Sequence, residues 1–219
     1  GFIPEGLLNY LSLLGWSLSH DRDVFSLDEL IAAFDIADVN PNPARFDQKK
    51  AESINGDHIR MLAADDFAAR ILPYLAKADV LSDEPSAEQL ALIAQAAPLV
   101  QERVQVLGEV PGMLGFLFTD TLEYEEAALK GLPANAAEVL VASVGALELV
   151  PVEAFTAASI QEALSGALID GLGLKPRIAY GPPRVAISGR RVSPPLFESM
   201  ELLGKAETIR RLGLLVERL

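Results

Sequence analysis

The sequence contains no cysteine, which excludes disulfides, thiolate zinc ligands and thiol nucleophiles together. It fits a reducing compartment, and a cytoplasmic location is expected. Histidine is nearly as scarce: His20 and His58 are the only two. Neither stands in a metal-ligand spacing such as His-Glu-x-x-His, and each is expected as a surface or capping residue. No long apolar run occurs. The most apolar stretch, 3–18, carries Glu5 and Asn9, is too short to cross a bilayer and follows no basic segment of the signal-peptide kind. A Gly-rich phosphate loop is missing too, because Gly171-Leu-Gly173 has neither a third glycine nor a preceding strand. Asp65-Asp66 and Glu123-x-Glu125-Glu126 read as solvated helix faces or N-terminal caps. With no catalytic set to assemble, the sequence leans towards binding rather than chemistry, and no metal or cofactor is expected in this chain.

What is present is apolar material and unevenly placed charge. Half of the 219 residues are hydrophobic, enough for a sizeable core in one or two domains. The chain opens on Gly, not Met, and is expected to begin inside a longer protein. The net charge of −13 speaks against a nucleic-acid partner at first sight, since phosphates are met by Lys and Arg. The distribution matters more. Residues 1–75 carry net −6, residues 76–150 net −9 and residues 151–219 net +2. Between Asp170 and Glu198 there is no acidic residue, while Lys175, Arg177, Arg184, Arg190 and Arg191 fall in that interval. A polyanion should meet this end and be repelled elsewhere. On charge alone, a solvated loop with surplus arginines is an equal reading.

The patterning is helical almost throughout, so an all-α fold is expected. Pro4 and Glu5 open a first helix with Leu7, Leu8, Leu11 and Leu14 at helical spacing, ended by Gly15. Trp16 and its neighbouring leucines are expected in the core. Ser26-Leu-Asp-Glu29 is a capping box before Leu30, Ile31 and Phe34. Pro41 and Pro43 mark a loop. Asp47 caps a helix through Ile54, Asn55-Gly56 breaks it, and Asp57 caps a short one through Leu62. Phe67, Ile71, Leu72 and Leu75 mark the next. Ser86-Ala-Glu-Gln89 is a second capping box, and Pro98 restarts that helix through Leu107. Helices follow over 124–129 and 135–149. Ser159-Ile-Gln-Glu162 is a third capping box, with a helix to about Asp170. The stretch 171–195 then reads as irregular and basic, with only 184–188 extended. A last helix runs from Ala206 with Ile209, Leu212, Leu215 and Leu219 on one face. No repeat of solenoid period is visible.

Several ordered blocks carry a resemblance. Residues 1–17 read Gly-Phe-Ile-Pro-Glu-Gly-Leu-Leu-Asn-Tyr-Leu-Ser-Leu-Leu-Gly-Trp-Ser. Phe25-Ser-Leu-Asp-Glu-Leu30 with Phe34-Asp35, Asn42-Pro-Ala-Arg-Phe-Asp-Gln-Lys-Lys50, and Asn55 with His58-Ile-Arg60 follow in order. Ser193-Pro-Pro-Leu-Phe-Glu198 and Leu202-Leu-Gly-Lys205 stand near the end. Together these resemble the C-terminal region of bacterial-type glutamate–tRNA ligases, class I glutamyl-tRNA synthetases, strongly over 1–62 and 160–212 and weakly between. The resemblance implies a helical stem-contact region at 1–65 and two helical anticodon-binding subdomains of the α-helical cage type, at 66–150 and 151–219. The His-x-Gly-His motif and the Lys-Met-Ser-Lys-type loop of the family are absent. The ATP, Mg2+ and glutamate sites of the parent enzyme are therefore expected to lie outside this chain, which alone would not be an enzyme.

The resemblance also implies site residues. Arg184 would hydrogen-bond an anticodon base or phosphate, Ser193 and Pro194 would read base edges through side chain and main chain, and Leu196 and Phe197 would give bases an apolar surface. A core role for Leu196 and Phe197, on a helix starting at Pro195, is the competing reading, and both can hold. Arg103 is a second anticodon candidate, although Glu102 beside it permits a plain surface role. From their place in the acid-free basic interval, Lys175, Arg177, Arg190 and Arg191 are expected as further tRNA contacts, and Lys49, Lys50 and Arg60 would touch stem phosphates. The expected partner is a glutamate-accepting tRNA, with a glutamine-accepting one left open. No DNA or membrane partner is expected, and the chain is expected to be monomeric. An acidic helical module for protein–protein interaction, without RNA, is the alternative.

Overall fold

The computed structural model describes residues 1–41 and 45–219; the Pro43 loop marker lies outside the described residues. Among them the fold is all-α, with no strand, and the chain divides into two compact units, Gly1–Gly112 and Met113–Leu219. No helix of the described residues is long and apolar enough to cross a membrane.

The first unit holds α1 (Pro4–Ser12), α2 (Leu27–Ala33), α3 (Gln48–Met61), α4 (Ala64–Lys77) and α5 (Ala87–Gln101). Its organising contact is α1 against α3. There Asn55-Gly56, a turn signal in sequence, sits inside one continuous α3. Asn55 is fully buried; its Oδ1 accepts from the Ile3 amide at 2.8 Å and its Nδ2 donates to the Gln105 carbonyl at 2.6 Å. The backbones meet so closely that a Cβ on Gly6 would stand 2.7 Å from Asn55 Cα. Tertiary hydrogen bonds and close approach thus override the local turn preference. Asp47 caps α3 as expected, accepting from Lys50 N–H, while the side chain of Gln101 satisfies the Ile59 and Leu62 carbonyls at its end.

Five further readings need correction here. The leucine stripe of α1 is not its buried face: Leu7, Leu8 and Leu11 are exposed, whereas Gly6, Asn9 and Tyr10 are buried. Trp16 is buried, edge-on to Phe25 at 5.8 Å, but Leu13, Leu14 and Leu18 around it are only half-buried. Likewise Ile31 and Phe34 after the Ser26 capping box are exposed. His58, expected at the surface, is buried with Nε2 2.8 Å from Asn9 Oδ1. That oxygen also accepts from Phe25 N–H, so Nε2 must carry the proton. Desolvation holds the His58 pKa below its usual value, against the nearby Glu5 and Asp57. Finally, Pro98 does not restart a helix but sits inside α5, which ends at Gln101. Burial of Ile93, Ala96, Ala97 and Val100 carries the helix past the hydrogen bond that proline removes.

In α6 (Val110–Leu114) the chain passes to the second unit. This holds α7 (Glu126–Lys130), α8 (Ala136–Glu148), α9 (Ala157–Leu164), α10 (Pro176–Ala179), α11 (Gly181–Ser188), α12 (Leu196–Leu203) and α13 (Lys205–Arg218). One core joins Leu140 and Leu147 of α8, Ile160 and Leu164 of α9, Val185 of α11, Met200 of α12, and Leu212 and Leu215 of α13. The third capping box is Thr156 with Ser159, three residues earlier than expected, and α9 continues as a π-helix over Ser165–Gly171. Between α12 and α13 the chain reverses at Gly204, whose φ of 78° suits glycine. Lys205 then donates to the Glu148 and Val150 carbonyls at 2.8 and 2.7 Å, capping the end of α8 with a cation.

Arg211 is 2 % exposed. Its guanidinium donates to the carbonyls of Phe116, Ile187 and Thr119 at 2.9, 2.8 and 2.8 Å and to Glu207 at 2.5 Å. It ties the 115–119 segment and the end of α11 to α13.

Candidate nucleic-acid interface

The basic stretch 171–195 is folded, not irregular. Pro176 opens α10, Tyr180 forms the elbow, and α11 begins at Gly181-Pro-Pro-Arg184. Proline lacks an N–H, and the first turn of a helix needs none, so Pro182 and Pro183 start α11 rather than prevent it. The 184–188 segment, read as extended, is therefore helical. Gly189 ends it with φ 71°, its N–H bonded to the Val185 carbonyl at 2.8 Å. A Cβ at this position would run into the Glu123 carbonyl.

Beyond Gly189 the chain runs back along α11 to α12. Arg184 holds this return: its Nη1 donates to Ser193 Oγ at 2.6 Å and to the Pro194 carbonyl at 2.8 Å. Ser188 Oγ reinforces the turn by accepting from Arg190 N–H at 3.3 Å. Ser193, Pro194 and Leu196 are buried, and Leu196 belongs to the core. Phe197 is half-buried and meets the Tyr180 ring edge-on, at 5.2 Å between centroids and 89° between planes. The elbow and the 193–197 segment thus brace each other.

Beside this brace lies a cavity of about 830 Å³. Arg177, Arg184 and Arg191 line it, with Tyr180, Ile178, Pro182 and Gly131 among the rest of its wall, and none of its lining residues among those described is acidic. In a chain of net −13, three arginines around one cavity make a local anion site with apolar walls. Arg190 is turned away to Glu125, at 3.3 Å across a half-exposed pair. Lys175 is exposed and leads into α10.

The other sequence candidates belong to the first unit. Lys49 is exposed at the start of α3; Lys50 pairs with Asp23 at 2.9 Å and Arg60 with Asp57 at 2.5 Å. Arg103 is exposed in the turn after α5. Sequence reasoning missed Tyr180 and Gly131. The signal for Tyr180 was available: it is an aromatic inside an acid-free basic segment, the combination that stacks on bases. Gly131 has none, because its use depends on Arg191, sixty positions on in the chain.

A model of the anticodon binding domain matches residues 66–215. The chain belongs to this family. The elbow, the arginines and the cavity all lie within the matched residues of the anticodon-binding domain. The chain is 67 % identical over 214 residues to a glutamate–tRNA ligase of Leifsonia xyli subsp. xyli, covering 97 % of this chain and 44 % of that protein. It is 58 % identical over 213 residues to one of Paenarthrobacter aurescens, covering 96 % and 42 %. The crystal structure of a glutamate tRNA ligase from Elizabethkingia meningosepticum, in complex with its amino acid, superposes with a TM-score of 0.78. That match is 26 % identical and covers 99 % of this chain and 41 % of that one. The chain therefore spans less than half the length of the relatives it matches.

Proposed function

We propose that this anticodon-binding domain is the tRNA-recognition part of an ATP-dependent glutamate–tRNA ligase. The observation that carries the reading is the arginine-lined cavity within an otherwise acidic chain. Unpaired anticodon bases need a shaped pocket with an apolar surface, a few donors and nearby cations, and the second unit supplies each. Within this reading, residues 1–65 contact the stem, and residues 66–150 and 151–219 form two anticodon-binding subdomains. Arg184 orders Ser193 and Pro194, whose main-chain groups read base edges. Leu196 and Phe197 support the apolar wall. Lys175, Arg177 and Arg191 face the anticodon arm, Arg190 contacts the tRNA outside the cavity from its pair with Glu125, Lys49, Lys50 and Arg60 contact stem phosphates, and Arg103 adds a second anticodon contact. The parent enzyme uses ATP and Mg2+ at sites outside this chain, acts in the cytoplasm as a monomer, and takes a glutamate-accepting or also a glutamine-accepting tRNA.

The test is equilibrium binding of the chain to a glutamate-tRNA transcript and to a fully paired RNA duplex of equal charge at low salt. Preference for the tRNA is expected, because only it offers unstacked bases. Equal affinity would overturn the reading.

A further inference from the structure

The sequence holds a single Asn-Gly pair, Asn55-Gly56, and the RNA reading makes no use of it. In an open chain such a pair is chemically unstable. The Gly56 nitrogen gives up its proton and attacks Asn55 Cγ. The bond from Cγ to Nδ2 breaks, the proton goes with the leaving nitrogen as ammonia, and a five-membered succinimide closes. Water then opens the ring. Attack at Cγ gives aspartate, and attack at the main-chain carbonyl gives isoaspartate, with the backbone rerouted through Cβ. Water is the only co-reactant. Glycine favours the ring closure, because no side chain hinders its nitrogen and its backbone turns freely.

The fold withholds each of these conditions. Both residues are buried inside the continuous helix α3, where the Gly56 N–H is committed to the helical ladder. The Asn55 amide is fixed from two sides: Oδ1 accepts from the Ile3 amide at 2.8 Å, and Nδ2 donates to the Gln105 carbonyl at 2.6 Å. Cγ cannot turn towards the Gly56 nitrogen without giving up both bonds. Helix α1 closes the space above, since a Cβ added to Gly6 would stand 2.6 Å from Asn55 Oδ1.

The same bonds make Asn55 a staple. It joins the first residues of the chain, α3 and the 105–107 segment, and Leu107 N–H closes the set by donating to the Gly1 carbonyl at 2.8 Å. Aspartate cannot take its place. One carboxylate oxygen can still accept from Ile3, but the other would meet the Gln105 carbonyl with no proton between them, and a negative charge would enter a site without water. Isoaspartate adds a backbone carbon in mid-helix and breaks the ladder.

We propose that Asn55-Gly56 is a latent deamidation site, silent while the first unit is closed and converted irreversibly once α1 lifts from α3. Opening frees the amide, and the product prevents reclosure. The pair thus marks chains whose first unit has opened. The inference is independent of the RNA reading, which assigns no contact to either residue.

The experiment incubates the whole chain near neutral pH in native buffer, in urea below the unfolding transition and in urea above it. Digestion and mass spectrometry follow the amide-to-acid mass gain in the peptide that carries Asn55, and enzymatic isoaspartate methylation follows the rerouted product. Above the transition, both products should accumulate as in a free Asn-Gly peptide. In native buffer the reaction should be slower by about a thousandfold or more, the population of the open state setting the rate, and it should rise with urea below the transition. Gly56→Ala should slow the reaction in unfolding urea. The added Cβ meets the far end of Arg60, Nη1 at 3.3 Å, and Gln105 Cα at 3.4 Å, so the fold should stand. Asn55→Asp should lower the denaturant midpoint or leave the first unit unfolded. A native rate within about tenfold of the unfolded one would overturn the protection. An unchanged rate in the unfolded Gly56→Ala chain would overturn the site, and an unchanged midpoint for Asn55→Asp would overturn the irreversibility.

Discussion

Replacing Arg211 with methionine removes the clamp of the second unit while keeping much of its volume. Three carbonyls, those of Phe116, Ile187 and Thr119, lose their donor, and Glu207 loses a buried partner. A buried carbonyl left unsatisfied costs about 1–3 kcal/mol, and breaking a buried ion pair from one side costs about 3–5 kcal/mol. These penalties overlap, because Thr119 sits near the surface and Glu207 keeps Arg210. We therefore expect a loss of about 4 kcal/mol, against a total of about 5–15 kcal/mol for a folded protein. For a chain of this length, 1 kcal/mol lowers the melting temperature by about 2–4 °C, so the variant should melt about 10 °C lower when followed by circular dichroism at 222 nm. Arg211→Lys should recover little, since one ammonium cannot span three carbonyls with the geometry of a planar fork. A drop under about 3 °C for the methionine variant would refute the clamp.

Other consequences are equally direct. Gly189→Ala should destabilise by more than the roughly 1–2 kcal/mol of a left-handed backbone alone, because its Cβ also meets the Glu123 carbonyl; a denaturant midpoint unchanged from that of the parent chain would contradict this. Glu207 is held at about 2, first by its hydrogen bond to Arg210 and also by Arg211. Its contribution to stability is present above about pH 4.5 and lost as pH falls towards 2, so Glu207→Gln should flatten the stability profile in that window; an unaltered profile would count against the pairing. His58 is kept neutral in the fold by burial, whereas the unfolded chain takes up a proton near pH 6.5. Stability should therefore begin to fall below about pH 6.5, and a His58 NMR titration at or above that value would show the opposite.

How much of this was legible in the sequence depended on how local the physics was. The Ser26 and Ser86 caps formed where their spacing placed them, since a capping box involves residues three apart. The last helix and its Leu212 and Leu215 stripe were legible for the same reason. The Asn55-Gly56 turn signal misled because its outcome is set by Ile3 and Gln105, about fifty residues away in either direction. The Leu7, Leu8 and Leu11 stripe misled in another way: periodicity identifies an apolar face but not what covers it, and here Asn9 and Gly6 make the close contacts instead. Gly-Pro-Pro-Arg184 resembles a loop until one asks which amides a first helical turn needs. In the site, Arg184 with Ser193 and Pro194 was reached through family resemblance, and the structure brings those three together by hydrogen bonds. Arg211 was invisible, because Arg210-Arg211 reads as surface charge and only the packing of α13 buries the second of the pair. Gly131 acquires meaning only from the fold, which sets it against Arg191, whereas Tyr180 stood out in sequence as an aromatic inside an acid-free basic segment.

Titrating the chain with a glutamate-tRNA transcript and an anticodon-swapped transcript across a salt series asks whether this anticodon-binding domain reads tRNA through its second unit. Tighter binding to the cognate anticodon is expected, falling about twentyfold between 50 and 200 mM salt if three phosphates are neutralised. Equal affinity for the two transcripts, or no binding to either at low salt, would contradict it.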